Sequence, residues 1–290
     1  MLVFVYGSLM TGMENHHVLS QAPLLAKEAR VNGRLYEGES YYPLLVEEPG
    51  AWTYGELYEV DERDLVSLDA LEEYDPETDK GTFIRKSLPV WTDSGKEEAY
   101  VYVASEESLG KPVASGNWKV HRLLVNGGSC YYFAYGSCMD DERFAKHGVD
   151  RLFQNVTGRG SAKGYRLGFT YPLPDGARAD LVEAEGIVEG VVYEINEEAR
   201  QYLYRREGVD RGGYRPMVLP VALASGNQVE ALSFTVREKQ PESAPPFHYA
   251  KEIHRGAGRY LSRSYVDEIE KRFAEEVCGE EFRDYLLKRS

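Results

Sequence analysis

The chain has 290 residues, a length that predicts about two domains with separate cores. Hydrophobic residues make up 42% and charged residues 28%, which excludes a fibrous or largely disordered chain. The formal net charge of −14 would repel a phosphate backbone, so we expect neither nucleic acid nor an anionic membrane surface as a partner.

The three cysteines are too few for a disulfide framework, and no CxxC motif or His/Cys cluster indicates a metal site. We therefore expect a reducing, cytoplasmic setting and no metal ion. The first ten residues, MLVFVYGSLM, carry no basic segment and reach Gly7 and Ser8 early, so no signal peptide is predicted. No run of about 18 apolar residues predicts a membrane-spanning helix.

An internal repeat is the first informative feature along the chain. The segment LVFVYGSLM at 2–10 recurs as YYFAYGSCM at 131–139. In each copy a short apolar run, typical of a buried strand, ends abruptly at a Gly-Ser turn. Each half of the chain therefore opens with a strand and a tight turn.

The repeat continues through a shared order of predicted elements. The first half has strands at 34–36 and 54–60, a helix at 62–74 and a strand at 83–91. The second half has strands at 166–169 and 188–195, a helix at 196–207 and a strand at 214–221. A Pro-rich loop then leads into a helical extension, with Tyr265, Ile269 and Phe273 at four-residue spacing, that the first half lacks.

These elements predict an α+β protein of two tandem domains. Many short strands with few helices favour a small mixed β-barrel-like sheet with flanking helices in each domain, rather than βαβ units. A segment rich in Gly, Ser and Asn separates the halves. We place domain 1 at 1–115, a linker at 116–129, and domain 2, with the helical extension, at 130–290.

A glutamate follows each turn at a similar distance, late in the predicted helix. Glu72 ends LDALE at 68–72, and Glu207 lies within LYRREGV at 203–209. Together with the Tyr-Gly-Ser turn, this pattern resembles the gamma-glutamyl cyclotransferase family, whose members carry such a turn near the start and a catalytic glutamate. The resemblance covers nearly the whole chain, once in each half.

The two copies resemble different branches of that family. The first is similar to the short branch of gamma-glutamylamine and butirosin-pathway cyclotransferases, and the second to the glutathione-pathway enzyme. Two positions depart from the family pattern, because Glu73 stands where a glycine is common and Cys138 where an asparagine is common. These departures concern the substrate contacts rather than the chemistry.

The resemblance implies that Glu72 and Glu207 are catalytic and that each half cyclises a gamma-glutamyl amine or peptide to 5-oxoproline with release of an amine. This reaction needs one carboxylate to move a proton, donors for the oxyanion and an anchor for the substrate carboxylate, but no cofactor. Backbone amides of the turn can supply the donors. The predicted substrate-binding residues are therefore the two turns: Tyr6, Gly7, Ser8, Leu9, Tyr135, Gly136, Ser137 and Cys138.

Other interpretations remain open at this point. Ser8 or Ser137 could act as a nucleophile in an amidohydrolase, although no G-x-S-x-G motif is present and no histidine accompanies both copies. One or both halves could also be a non-catalytic amino-acid-binding or structural module. Cys138 cannot belong to a shared mechanism, since Leu9 occupies its position in the first copy. The leaving amine, the activity of each half and the oligomeric state stay undetermined.

We also expect the substrate pocket of each half to be shaped outside the turn. Residues 37–43 and 171–179 are predicted loops that set which leaving amine is accepted. Histidines 16, 17, 248 and 254 lack a nearby ligand pattern, so we expect them to be surface or hydrogen-bonded residues.

Overall fold

The computed structural model describes residues 1–39, 42–104, 109–125, 127–277 and 279–288. The chain divides into two compact units, Met1–Val125 (unit 1) and Asn126–Ser290 (unit 2). Cys278 lies outside the described residues. Every helix among the described residues is too short or too polar to span a bilayer.

Unit 1 contains a closed five-stranded barrel in the order β1–β5–β2–β8–β9. Strand β1 pairs parallel with β9 and antiparallel with β5, so the sheet is mixed as predicted. The elements are β1 (Leu2–Val5), β2 (Leu24–Asn32), β3 (Arg34–Glu37), β4 (Pro43–Val46), β5 (Trp52–Glu59), α1 (Glu62–Leu71), β6 (Tyr74–Asp75), β7 (Lys80–Gly81), β8 (Phe83–Thr92), β9 (Gly95–Ala104) and α2 (Trp118–Val125).

Unit 2 repeats this barrel in the order β10–β12–β11–β13–β14, again with one parallel pair, between β10 and β14. Three helices at its C-terminal end form the predicted extension. The elements are β10 (Cys130–Ala134), α3 (Asp141–Lys146), β11 (Val156–Leu173), β12 (Gly176–Ile195), α4 (Glu197–Arg206), β13 (Tyr214–Leu223), β14 (Gln228–Val236), α5 (Phe247–Tyr260), α6 (Arg263–Arg272) and α7 (Gly279–Leu287).

The opening strand of each unit is paired along both edges and is buried on both faces. Val3, Phe4 and Val5 in β1, and Phe133 and Ala134 in β10, are all buried. This explains why both strands read as continuous apolar runs rather than alternating ones. The Gly-Ser turn follows directly at the end of each strand.

A glycine at the same place in each barrel lets a neighbouring strand approach closely. A Cβ added at Gly55 in β5 would overlap the Val5 carbonyl oxygen of β1, and one added at Gly190 in β12 would overlap the Ala134 carbonyl oxygen of β10. The added atom meets backbone rather than a flexible side chain. Any side chain at these positions must therefore displace the opening strand.

Gly55→Ala is expected to lower the free energy of unfolding of unit 1 by about 1–3 kcal/mol, since overpacking forces the backbone to shift. All three tryptophans, Trp52, Trp91 and Trp118, lie in unit 1. Urea unfolding followed by tryptophan fluorescence therefore reports this unit. Val66→Ala, at an exposed position of α1, serves as a control that should leave the midpoint nearly unchanged. An unchanged midpoint for Gly55→Ala would contradict the close approach.

The segment 116–129, predicted as a linker, contains helix α2, which belongs to unit 1. Trp118 and Val120 are buried, and the Lys119 ammonium forms a 2.8 Å ion pair with the buried carboxylate of Glu56. The glycines and serines before the helix suggested an extended connection. The burial of the apolar face of this short helix and its ion pair stabilise a packed helix in a segment whose composition is typical of a linker.

Strand β2 was not predicted from the sequence, because the alternation of its inward and outward side chains is interrupted. Its pairing with β5 shifts register between Leu24 and Ala26 and again between Ala26 and Ala29. Such bulges move side chains off the period of two on which strand prediction depends.

Residues 171–179 were predicted to form a loop. They instead form the tip of the β11–β12 hairpin, where Tyr171 pairs with Arg178. The two strands are much longer than the predicted segments. Within the other predicted loop, 37–43, residues 40 and 41 lie outside the described part of the chain.

Candidate active site

The Tyr-Gly-Ser turn is closed by the same backbone hydrogen bond in both units. The Met10 amide donates to the Gly7 carbonyl at 3.1 Å, and the Met139 amide donates to the Gly136 carbonyl at 3.1 Å. The preceding tyrosines are held alike, since the Tyr6 hydroxyl donates to the Tyr102 carbonyl at 2.6 Å. The Tyr135 hydroxyl donates to the Phe234 carbonyl, also at 2.6 Å. The two tyrosines therefore act as rigid walls.

The turn amides are available to a ligand. None of the hydrogen bonds formed within the described part of the chain uses an amide of 7–9 or 136–138 as its donor. Buried amides are normally paired, so three consecutive unused donors beside a pocket form a suitable site for a carboxylate or an oxyanion. Gly7 has no room for a side chain, because an added Cβ would clash with Pro43.

The two predicted glutamates occupy the same position on corresponding helices. Glu72 follows the last residue of α1, and its amide donates to the Leu68 carbonyl at 2.9 Å. Glu207 follows α4, and its amide donates to the Leu203 carbonyl at 2.8 Å. A carboxylate at a helix C-terminus opposes the helix dipole and does not stabilise the helix. The repeated placement therefore points to a role other than helix stability.

The residue after each glutamate has a left-handed backbone conformation. Glu73 has φ of 52° and Gly208 has φ of 63°. The glycine that is common at this position in the resembled family suits such a conformation, while a glutamate adopts it at a cost. The Glu73 carboxylate accepts a 2.7 Å hydrogen bond from the Thr82 hydroxyl.

Burial raises the pKa of both glutamates, but their surroundings differ. Loss of solvation raises the pKa of Glu72 to about 7. Burial also raises the pKa of Glu207, while the positive charge of Arg206 and a hydrogen bond from the Cys138 thiol act in the opposite direction. A carboxylate whose pKa is raised toward neutrality suits general acid and base catalysis.

Each glutamate and its turn line one pocket. The unit 1 pocket has a volume of about 260 Å³, and the unit 2 pocket about 580 Å³. All ten predicted residues line these pockets: Tyr6, Gly7, Ser8, Leu9 and Glu72 in unit 1, and Tyr135, Gly136, Ser137, Cys138 and Glu207 in unit 2. The structure thus brings the predicted residues together, and their roles stay predictions.

The unit 2 pocket also contains four arginines that the sequence analysis did not identify. They come from three different elements and a short 3₁₀ turn: Arg143 in α3, Arg178 in β12, Arg206 in α4 and Arg211 in the turn at Val209–Arg211. Only Arg206 carried a sequence signal, because it directly precedes Glu207. The unit 1 pocket, as far as the described residues line it, has no arginine, lysine or histidine.

No histidine lines either pocket among the described residues. His254 is buried and contacts Glu270 at 2.9 Å and the Tyr285 hydroxyl at 3.2 Å, as expected for a hydrogen-bonded residue. Within the described ranges no group of three or more His, Cys, Asp or Glu side chains is arranged to hold a metal ion.

Each of the two barrels has a pocket of its own, lined by a half-buried carboxylate and a Gly-Ser turn, so the chain is a tandem protein with two corresponding sites. Residues 3–120 match the family described as "Gamma-glutamyl cyclotransferase, AIG2-like", and residues 187–269 match the "AIG2-like family". The protein named "Putative gamma-glutamylcyclotransferase YkqA" of Bacillus subtilis (strain 168) is 38% identical over 275 residues, covering 93% of this chain and 96% of that protein.

Other matches agree with this result. The crystal structure of YkqA from Bacillus subtilis superposes with a TM-score of 0.84 and covers 94% of this chain and 97% of that one. The "Gamma-L-glutamyl-butirosin B gamma-glutamyl cyclotransferase" of Niallia circulans is 34% identical over 122 residues, covering 42% of this chain and 77% of that protein. The chain belongs to the gamma-glutamylcyclotransferase family, as a tandem member with two copies of the fold.

Proposed function

We propose that each unit cyclises a γ-glutamyl amide to 5-oxoproline and a free amine, with Glu72 and Glu207 as the general acid and base. One observation carries the proposal. A half-buried carboxylate and a turn with three consecutive backbone amides without an internal acceptor line the same pocket, and this arrangement occurs in both units.

The reaction proceeds within a single substrate molecule. The glutamate carboxylate takes a proton from the substrate α-ammonium, and the freed amine attacks the γ-carbonyl carbon to form the ring C–N bond. The protonated glutamate gives its proton to the leaving nitrogen as the bond from that carbon breaks, and the same carboxylate then passes the second proton of the ring nitrogen to the released amine, which departs as an ammonium ion. Since both reacting groups belong to one molecule, correct folding of the substrate supplies much of the rate enhancement.

The turn amides supply the remaining needs of this reaction. Donors from the Gly7–Leu9 or Gly136–Cys138 backbone stabilise the oxyanion at the γ-carbonyl or hold the substrate α-carboxylate. They carry no charge of their own, so they do not compete for the proton on the glutamate. Tyr6 and Tyr135 close one wall of the pocket.

A serine nucleophile has less support. The Ser8 hydroxyl oxygen accepts a 3.0 Å hydrogen bond from the Asn15 amide group, and the Ser137 hydroxyl oxygen accepts a 3.3 Å hydrogen bond from Arg206. Neither partner can remove the hydroxyl proton, because an amide and a guanidinium are donors at those atoms. The distinguishing product of that alternative is glutamate.

The charges of the two pockets favour different leaving amines. Arg211, together with Arg178, which forms an ion pair with Asp175, brings positive charge to the larger unit 2 pocket beyond the turn, and this suits an amine that carries a carboxylate, as in a γ-glutamyl amino acid. The smaller unit 1 pocket has an additional carboxylate, Glu73, and suits a neutral or cationic amine. We therefore propose that the units divide the substrates by charge.

The test is a product assay with the full-length chain. γ-Glutamyl amino acids, γ-glutamyl alkylamines and glutathione are each incubated with the protein and a metal chelator, and 5-oxoproline and glutamate are measured by mass spectrometry. We expect 5-oxoproline above the spontaneous rate of a protein-free control. Glutamate as the product would identify an amidohydrolase. Absence of both products from every substrate would support a non-catalytic module.

A further inference from the structure

Two corresponding positions around the glutamates differ between the units. The third turn residue is Leu9 in unit 1 and Cys138 in unit 2. The residue before the glutamate is Leu71 in unit 1 and Arg206 in unit 2. All four side chains line their pockets, so one base has an apolar pair beside it and the other has a polar pair.

The polar pair in unit 2 is a connected cluster. The Arg206 Nε lies 3.2 Å from the Cys138 Sγ and 3.4 Å from the Glu207 Oε1. The Cys138 thiol lies 3.8 Å from the same carboxylate oxygen, and Arg206 also donates to the Ser137 hydroxyl at 3.3 Å. One guanidinium therefore joins the base to two residues of the turn.

This cluster is shielded from water. The Arg206 side chain is 15% exposed and Cys138 is 6% exposed, so their interactions with the carboxylate are weakly screened. Burial raises the pKa of the Cys138 thiol, which keeps its proton available for donation to Glu207.

We propose that Cys138 and Arg206 are a positioning pair that favours the ionised form of Glu207, so that unit 2 remains active at lower pH than unit 1, where Leu9 and Leu71 replace the pair. This inference rests on the proposed function, because it concerns the same carboxylates. A guanidinium and a thiol donor favour the charged form of a carboxyl, whereas burial beside leucines favours the neutral form.

The other groups around the two bases do not reverse this difference. In unit 2 the tyrosine neighbours have pKa values raised by burial and stay neutral, and Arg143 adds further positive charge while paired with Glu252. In unit 1 the neighbours are three tyrosines, of which Tyr6 and Tyr102 have raised pKa values, and one further acid. The groups are Tyr132, Tyr135, Tyr214, Tyr249, Arg143, Arg178 and Arg211 around Glu207, and Tyr6, Tyr102, Tyr42 and Glu73 around Glu72.

The decisive experiment exchanges the pairs in the full-length chain. Cys138→Leu with Arg206→Leu is made in a Glu72→Gln background, so that only unit 2 turns over substrate, and kcat is measured against pH. We expect the acid limb of the profile to move upward by about 1–3 pH units. The reciprocal change, Leu9→Cys with Leu71→Arg in a Glu207→Gln background, should move the unit 1 limb downward.

Arg206→Lys serves as the conservative variant, because it keeps the positive charge without the fork that reaches Ser137. Arg206→Met, which removes the charge, is made alongside it in the Glu72→Gln background. The acid limb of Arg206→Lys should lie closer to that of the Glu72→Gln parent than the acid limb of Arg206→Met. A lower kcat with an unmoved limb in both variants would overturn the proposal and leave Arg206 a purely structural residue.

A second measurement separates this inference from the proposed function and needs no change in the cluster. In protein labelled with ¹³C at the glutamate side-chain carboxyls, NMR titration follows Glu72 and Glu207, assigned by the loss of each signal in Glu72→Gln and Glu207→Gln. Glu207 should titrate at lower pH than Glu72, whether or not 5-oxoproline is formed. Titration at the same pH, or in the reverse order, would refute the inference.

Discussion

A chain that carries both Glu72→Gln and Glu207→Gln should form 5-oxoproline at least about 10²-fold more slowly than the parent, because an amide cannot accept the proton of the substrate ammonium. Each single variant should lose only the substrates of its own unit. Glu207→Gln should lose turnover of γ-glutamyl amino acids, and Glu72→Gln should lose turnover of γ-glutamyl alkylamines. Initial rates on both substrate classes, measured at saturating substrate, distinguish these outcomes.

Matched controls lie at the other ends of the same helices. Glu62→Gln at the start of α1 and Glu197→Gln at the start of α4 make the same chemical change at solvent-exposed positions. Both should retain parental rates. Full activity in the double variant would remove the glutamates from the mechanism, and equal losses of both single variants on every substrate would show that the units share one specificity.

The second large effect concerns stability. The pKa of Glu72 is raised from 4.5 to about 7 in the folded protein, so folding favours the protonated form. This carboxyl contributes no penalty below pH 4.5, and stability is lost as the pH rises from 4.5 through about 7, because the unfolded chain ionises there while the folded protein still holds the proton. At pH 8 the cost reaches up to about 3 kcal/mol, from about 1.4 kcal/mol per pKa unit. Glu72→Gln is always neutral and should therefore stabilise unit 1 by that amount at pH 8, and by almost nothing at pH 4.

Urea unfolding followed by tryptophan fluorescence measures this effect, since all tryptophans lie in unit 1. Glu207→Gln is the control, because the carboxyl that it removes belongs to the unit without tryptophan. A stabilisation of Glu72→Gln that does not depend on pH would show that the Glu72 carboxyl is not the titrating group.

The repeated turn and glutamate were predictable because both depend on short local patterns. An apolar run that stops at Gly-Ser predicts a buried strand end, and the helices that lead to Glu72 and Glu207 begin with good capping residues. Asp61 accepts hydrogen bonds from two amides of α1, and Asn196 accepts one from α4. The resemblance to a known family then added the chemistry that spacing alone does not give.

The arginines of the unit 2 pocket were not predictable by the same means. Arg143 and Arg178 are far apart in sequence, on a short helix and on a long hairpin, and only barrel closure brings them to Glu207. Leu71 follows Leu65 and Leu68 at helical spacing, which favours one apolar face of α1, yet Leu71 is 38% exposed and lines the pocket. Helical periodicity places a residue on a face but does not say whether that face continues into a cavity.

Helix α2, the last element of unit 1, determines how short a stable N-terminal fragment of this chain can be. A fragment that ends at residue 115 would lack Trp118, whose indole is 1% exposed, and would leave the Glu56 carboxylate buried without Lys119. Loss of one partner of a buried ion pair typically costs about 3–5 kcal/mol, which is comparable with the whole stability of a domain of this size. A gene fragment that encodes an intact first barrel therefore extends at least to Val120, and a recombination or gene-fission event upstream of that codon is expected to yield an unstable product.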